Sequence, residues 1–389
     1  MNSISGTKDC YGCGVCALSC KKGAIRMILN PDGFYQPVVD EDICVECGTC
    51  LGVCSFHTDD VEQDDLFDVE YFEGWSRDES IRHECSSGGV GYEIARYMLK
   101  HDYLSIVCRY NSNERKAEHY LAQSEEDLKN SIGSKYIQSD TSPGFSKMLK
   151  GGKYFVVGTP CQIDSVRRWM KRNKMIGCTV LVDFFCHGVP SMLMWNKYLT
   201  ELEAKVDTID SIVWRDKETG WHDSWAIKVG NRYVSRFSQG DLFYRMFLKN
   251  RCLSKPCYDK CKFKGVRSSA DIRIGDLWGS KYEQNEDGVS GIIGLTSKGV
   301  GLIHEMADIL HLVSSTKAIV CESQMIECAH RPLSYRYVMN SLRADIPLQR
   351  IDRIAKLIEL LEEVPASITY YISRVPGKLA ELLKHVKNT

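Results

Sequence analysis

Two spacings of apolar residues organise this chain. The run KYFVV at 153–157 is almost continuously apolar, which predicts a strand buried on both faces. Next, QIDSVRRWMKRN at 162–173 places Ile163, Val166, Trp169 and Met170 at helical spacing. TVLVDFF at 179–185 is a second buried strand. Strand, helix and strand in so short a span predict a βαβ unit with parallel strands and a right-handed crossover. An earlier set reads the same way: VEYFEGW at 69–75 as strand, YEIARYMLK as helix, LSIVC as strand. Near the end, LQRIDRIAKLIELLEE carries Leu348, Ile351, Ile354, Leu357, Leu360 and Leu361 at nearly helical period, an apolar stripe that packing would bury. The acidic stretch DDVEQDD at 59–65 reads as a solvated linker. The expectation is an α/β chain, α+β overall: a small domain at 1–58, an acidic linker at 59–70, an open, largely parallel sheet over 71–330, and a helical C-terminal extension at 331–389.

Composition narrows this. With 389 residues, 43% hydrophobic and 26% charged, the chain can bury two or three ordinary cores. A net charge of −1 argues against nucleic acid as a partner. No apolar run is long enough to span a bilayer. The start, MNSISGTKDC, lacks a charged-then-apolar secretory pattern, so a cytoplasmic location is expected. In that reducing compartment the eighteen cysteines read as metal ligands or free thiols rather than disulfides.

Cys10, Cys13, Cys16 and Cys20 follow the spacing C-x2-C-x2-C-x3-C, and Cys44, Cys47, Cys50 and Cys54 repeat it. This is the bacterial dicluster ferredoxin arrangement, in which the fourth cysteine of each run ligates the other cluster. It predicts one 4Fe–4S cluster on Cys10, Cys13, Cys16 and Cys54 and a second on Cys44, Cys47, Cys50 and Cys20. Zinc fits poorly, because four ligands close a zinc site and here four come in each of two runs. Lys21 and Ser55 stand where a proline usually follows the fourth cysteine.

Ten cysteines remain. Cys161 and Cys186 each fall just past the carboxyl end of a predicted strand, the edge of an open α/β sheet where ligands bind. The competing reading is two small buried thiols. Cys257 and Cys261 lie close together in CLSKPCYDKC and would complete four thiolates, for a third cluster or for zinc. Cys85 and Cys252 are substitute ligands, and Cys108 reads as core. Ser86, Ser87, Gly88 and Gly89 open a predicted helix where a phosphate could approach free N–H groups; a plain cap with a turn is the simpler reading. Lys135, in GSKY, adds a cation. No Walker A motif and no G-x-G-x-x-G after a strand occurs.

Taken together, SSGG at 86–89, GSKYIQS at 133–139, GTPCQI at 158–163, CHGVPS at 186–191, VWRDKETGW at 213–221, PCYDKCKFKG at 256–265 and DIRIGDLWG at 271–279 resemble the coenzyme F420 hydrogenase/dehydrogenase beta subunits. The resemblance covers about residues 1–330, with the ferredoxin pair as a frequent addition in front. It implies FAD and a 4Fe–4S cluster in the second domain. Cys161, Cys186, Cys257 and Cys261 are the ligand set it implies. Ser86, Ser87, Gly88, Gly89, Lys135, Tyr136, Thr159 and Pro160 are the FAD contacts, with Asp276, Trp278 and Gly279 completing the pocket. Cys257 and Cys261 are three residues apart where the family pattern has two.

A protein holding both groups converts two-electron hydride chemistry into one-electron flow. The expected activity is an FAD-dependent iron–sulfur oxidoreductase working between a small-molecule hydride donor or acceptor and a ferredoxin-like or other redox protein. The alternative is a non-catalytic electron-transfer subunit of a larger complex. His187 is the candidate proton-handling residue; a structural histidine at the turn competes with it. Arg167, Arg168, Lys171, Arg172 and Lys174 offer a basic helix face to an acidic partner, or simply a solvated one. Trp169, Trp195, Trp214, Trp221, Trp225 and Trp278 are candidates to stack on a flavin, or core.

Overall fold

Tyr154, Phe155 and Val156 are fully buried, and the strand they form, Tyr154–Gly158, lies in the middle of a nine-stranded sheet. A computed structural model describes residues 2–63, 69–149, 151–204, 209, 211–230 and 232–360. Its strands are β1 (Ile25–Leu29), β2 (Tyr35–Val39), β3 (Glu70–Ser76), β4 (Leu104–Asn111), β5 (Lys116–Ala122), β6 (Ser139–Asp140), β7 (Tyr154–Gly158), β8 (Thr179–Phe184), β9 (Ile212–Val213), β10 (Ala226–Val229), β11 (Arg232–Arg236), β12 (Ile272–Asp276), β13 (Ser290–Gly294) and β14 (Leu310–Ser314). The large sheet runs β14-β3-β13-β12-β8-β7-β4-β5-β6.

The βαβ unit is present: β7, the helix Pro160–Arg172, and β8 parallel to β7 in register Tyr154↔Thr179. Parallel pairing continues from β8 to β12 and from β7 to β4. Outside that centre the sheet departs from the expected largely parallel one. β12–β13, β13–β3, β3–β14 and β4–β5 are all antiparallel, which makes the sheet mixed. The β3–helix–β4 stretch is also not a local unit: β3 crosses to the far side, between β13 and β14. Its consecutive buried residues, Phe72, Glu73 and Gly74, fit an antiparallel strand as well as a parallel one, so pairing is decided by partners distant in sequence.

The dicluster segment adds the hairpin β1–β2 and two short helices. Val15 and Val53, both fully buried, join the core formed by Ile163, Val166 and Trp169 of the Pro160–Arg172 helix. Each such side chain contributes about 1.5–3 kcal/mol, so this segment is fastened to the sheet domain. The described part of the acidic stretch, 59–63, is also held down, and 64–68 lie outside the described residues. Glu62 N donates to Asp164 Oδ1 at 2.7 Å, Arg168 pairs with Asp60 and Glu62, and Lys171 with Glu62. Its charges answer the basic helix face, whose Arg167 is buried against Asp271 at 2.9 Å. The linker is therefore not simply solvated, and that face is largely spent within the chain.

Of the C-terminal extension, the helices Tyr335–Arg343 and Leu348–Leu360 are described, and 361–389 lie outside the described residues. Leu348, Ile351, Ala355 and Ile358 face the core. Arg251 fixes the last helix by pairing with Asp352 at 2.8 Å and with Glu359. Among the described residues no helix is long and apolar enough to cross a membrane.

Candidate functional site

Gly14 and Gly48 open the helices Val15–Ser19 and Thr49–Gly52 with φ of 75° and 71°. These left-handed turns are open to glycine without strain, and the thiols that follow within each helix, Cys16 and Cys50, are buried. Cys10, Cys13, Cys16 and Cys54 line one cavity. Burial, with mutual repulsion behind it, pushes Cys10 up to about 12 and Cys54 to about 11, and raises Cys13 and Cys16 as well. Four crowded sulfurs that resist ionising together are relieved by metal charge, so the donor set fits an iron–sulfur group. Cys20 and Cys50 belong to the adjoining small core, Cys44 is partly buried, and Cys47 is exposed beside the Thr49 hydroxyl at 3.3 Å. The second set is thus the outer one.

Cys161 occupies the first turn of the Pro160–Arg172 helix. Thr159 caps that helix reciprocally with Gln162, and its hydroxyl lies 3.2 Å from Cys161 Sγ. Burial first, then Cys186, Cys13 and Cys257, raise the Cys161 thiol well above its ordinary value. Burial lifts Cys186 to about 11, with Cys261 adding to it. It lifts Cys257 to about 12, with Cys186 and Cys261 adding. Four thiols from three separate segments therefore share one neighbourhood at the carboxyl ends of β7 and β8, and Cys13 of the dicluster segment adjoins it. Gly188 (φ 146°) makes room: a β-carbon there would lie 3.3 Å from Cβ of Cys257 and 2.9 Å from Leu253. Lys264 donates to the carbonyl of Cys186 at 3.2 Å and supplies positive charge nearby. Among the described residues no three His, Cys, Asp or Glu side chains converge as for a single metal ion. Cys85 and Cys252 sit apart, Cys85 in the sheet core near Lys217 and Lys135, and Cys252 in the helical core. Cys328 lies closer: its thiol donates to the carbonyl of Cys261 at 3.1 Å.

A second constellation adjoins the rim. Arg215 is fully buried and lies over Trp225 at 4.8 Å and Trp278 at 5.0 Å. It donates to Asp276 at 3.0 Å, to the Tyr136 hydroxyl at 3.1 Å and to Ser224 at 2.8 Å. Tyr136 stacks on Trp225, and Trp221 stacks on Trp278 at 4.2 Å. Two buried atoms in this rank lack a partner: Arg215 Nη2, a donor, and Asp276 Oδ1, an acceptor. Tyr136, Asp276 and Trp278 are thus brought together by an arginine to which the sequence alone gives no role.

The other expected contacts have partners within the chain. Ser87 Oγ donates to Val289 O at 2.7 Å, Gly88 N donates to Ser290 Oγ at 3.1 Å, and Ser86 Oγ accepts from Ser134 N at 2.8 Å. A β-carbon at Gly88 would meet the Gly74 carbonyl at 2.5 Å, so strand packing by itself demands the glycine. Gly89 is the helix cap at φ 82°. Lys135 donates to the carbonyls of Ser131, Ile132 and Gly133 at 2.8–2.9 Å, and Lys217 to those of Arg82, Ser87 and Asp287 at 2.6–2.7 Å. Burial pulls both ammonium groups down to about 8. Pro160 starts its helix, and Gly279 lies against Glu322. His187 is exposed, edge-on to Phe247 at 5.1 Å. Trp195 and Trp214 are core, 5.1 Å apart. Arg215 and Lys264 join these two constellations without a signal of their own type at either position. Arg215 lies in the VWRDKETGW motif, whose charged residues inside an aromatic frame are the available signal.

Residues 71–144 match the family described as "Coenzyme F420 hydrogenase/dehydrogenase, beta subunit N-term", and 151–317 its "C terminus". Residues 9–58 match "4Fe-4S dicluster domain". The chain is 22% identical to an F(420)H(2) dehydrogenase subunit of Methanosarcina mazei over 72% of this chain and 80% of that protein. It is 26% identical to "Coenzyme F420-dependent sulfite reductase" of Methanocaldococcus jannaschii, over 43% of this chain and 26% of that one. Among solved structures, a chain of the F420-reducing NiFe hydrogenase complex from Methanosarcina barkeri matches at 15% identity and TM-score 0.44, over 65% of this chain and 84% of that chain.

Proposed function

The chain belongs to the coenzyme F420 hydrogenase/dehydrogenase beta-subunit family, with a 4Fe–4S dicluster domain at residues 9–58, and from that premise we propose that it is an iron–sulfur flavoprotein oxidoreductase. It passes electrons between a hydride donor or acceptor, a deazaflavin coenzyme or another organic substrate, and one-electron carriers. The observation that carries this reading is the position of Cys161, whose thiol is raised by burial and by three neighbouring cysteines, Cys186, Cys13 and Cys257.

Bound FAD would exchange hydride and bound clusters would carry electrons singly, which is the chemistry those groups supply. The chain's own residues do the rest. Cys161, Cys186, Cys257 and Cys261 would hold a third 4Fe–4S cluster. The N-terminus of the Pro160–Arg172 helix, the Thr159 hydroxyl and Lys264 favour negative charge on its thiolates. Arg215 Nη2 and Asp276 Oδ1 offer a donor beside an acceptor to a flat heterocycle bearing both an imide N–H and a carbonyl, as a flavin does. Trp278, Trp225 and Tyr136 would keep water from that edge.

Anaerobic purification with iron, sulfide and released-flavin analysis tests the reading. About twelve irons per chain and bound flavin are expected, and Cys161→Ala loses about four of the irons. About eight irons in the unaltered protein, or no flavin, overturns it. The Methanosarcina mazei relative is named as one subunit of a dehydrogenase, which favours a second reading: electron transfer inside a larger complex. Reduction of the isolated protein by a reduced deazaflavin, with no other subunit present, separates the two.

A further inference from the structure

Ser165 lies one helical turn beyond Cys161 and is fully buried, on the face of the Pro160–Arg172 helix that meets the dicluster segment. Its Oγ stands 3.3 Å from Cys13 Sγ and 3.2 Å from the main-chain nitrogen of Ser55, the residue after Cys54. Both contacts fall on the four-cysteine set around the inner N-terminal cavity.

A serine hydroxyl has one proton to give and two lone pairs. The Ser55 N–H can only donate, so it occupies a lone pair. Iron is ligated by thiolate, so a Cys13 that holds iron has no proton and can only accept. The hydroxyl proton is thereby directed at Cys13 Sγ. Hydrogen bonds to cluster sulfurs withdraw negative charge and raise the reduction potential. Among the described residues no fully buried hydroxyl is seen at Cys47, whose neighbour is the half-buried Thr49 on its own loop.

We propose that Ser165 is a positioning residue for electron transfer: from the sheet domain it donates a hydrogen bond to the Cys13 thiolate and raises the potential of the inner N-terminal cluster. The inner cluster then accepts electrons from the rim more readily than its own loop would make it. The same helix carries Cys161 and Ser165, so one rigid element supplies a thiol to the rim and tunes its neighbour. The inference rests on the cluster assignment above.

The test is potentiometric titration of the anaerobic full-length protein, followed by EPR, for Ser165→Ala and Ser165→Thr after both have been shown to keep their iron. Ser165→Ala shifts one of the two N-terminal midpoints to more negative potential and leaves the other in place, while Ser165→Thr, which keeps the hydroxyl, stays near the unaltered value. Two unmoved midpoints in Ser165→Ala overturn the proposal. Should Ser165→Ala lose iron, the shape-matched pair Ser165→Thr and Ser165→Val carries the comparison, and equal midpoints in that pair overturn it. A protein lacking flavin or rim iron would sink the broader reading and leave this test intact, because both N-terminal clusters still report.

Discussion

The Tyr11 hydroxyl donates to the main-chain carbonyl of Lys260 across 2.5 Å. Tyr11 follows Cys10 and Lys260 precedes Cys261, so this one bond joins the backbone of the N-terminal thiol set to that of the rim set. The ring is set edge-on against Phe56 and Phe263. Burial, then the nearby Cys161 and Cys261, raises the phenol pKa, so it remains a donor. Tyr11→Phe keeps the ring and leaves the Lys260 carbonyl without this partner. It should lower stability by about 1 kcal/mol and slow electron exchange between the two sets. Stopped-flow reduction followed at the cluster bands reads the second effect, and an unchanged rate would exclude this bond as a path.

Asp183 on β8 and Arg273 on β12 form a fully buried bidentate pair, at 2.7 and 2.6 Å. Arg273 also donates to the carbonyls of Phe263 and Gly265, which fixes the loop after Cys261. Arg273→Ala strands a buried carboxylate and should cost about 3–5 kcal/mol, visible as a lower thermal midpoint. The double replacement Asp183→Leu, Arg273→Met should recover most of that loss while loosening the Cys261 loop. A single replacement no worse than a surface one would refute the account.

His119 on β5 is buried, with Nε2 3.0 Å from the Val157 carbonyl just before the GTPC turn. A carbonyl only accepts, so Nε2 carries the proton. Burial lowers this histidine to about 4 against an ordinary 6.5. The unfolded chain therefore binds more protons between pH 6.5 and pH 4. Stability is complete above pH 6.5 and falls as pH drops through that window, by about 3 kcal/mol at its lower end. Thermal midpoints of the unaltered protein and His119→Gln, measured side by side from pH 7 to pH 4, should diverge with the unaltered protein falling faster. Parallel curves would contradict this.

Arg215→Lys removes a planar fork that stacks on two tryptophans and reaches Asp276, Tyr136 and Ser224 together. Losing charge-assisted bonds of this kind is worth about 1.5–3 kcal/mol. Flavin retention on ultrafiltration should weaken by about tenfold to a hundredfold, while iron content stays constant. Equal flavin occupancy in both proteins would remove Arg215 from the cofactor pocket.

Local chemistry was legible from the chain. The two C-x2-C-x2-C-x3-C runs announce their chemistry because a cluster loop is short and its thiols must be close in sequence. β7, its following helix and β8 were legible because apolar period is a local property. Cys161 and Cys186 stood out because each ends a strand of the same unit. The partners of Lys135, Lys217 and the SSGG segment were not legible. A lysine capping main-chain carbonyls and a lysine awaiting an anion look alike until the fold supplies or withholds the carbonyls. The acidic stretch read as solvated because nothing in Asp60 or Glu62 announces Arg168 and Lys171 more than a hundred residues away.

By itself, then, the sequence determined what is set within a turn or a loop: the cysteine spacing, the strand and helix segments, and the small residues that thiol loops require. The tertiary structure decided which distant segments meet: β3 between β13 and β14, Arg215 against both Trp225 and Trp278, and Ser165 beside Cys13. The physical reason is that spacing acts through covalent connection over a few residues, whereas pairing, burial and hydrogen-bond satisfaction are settled only when the whole chain has closed around its cores.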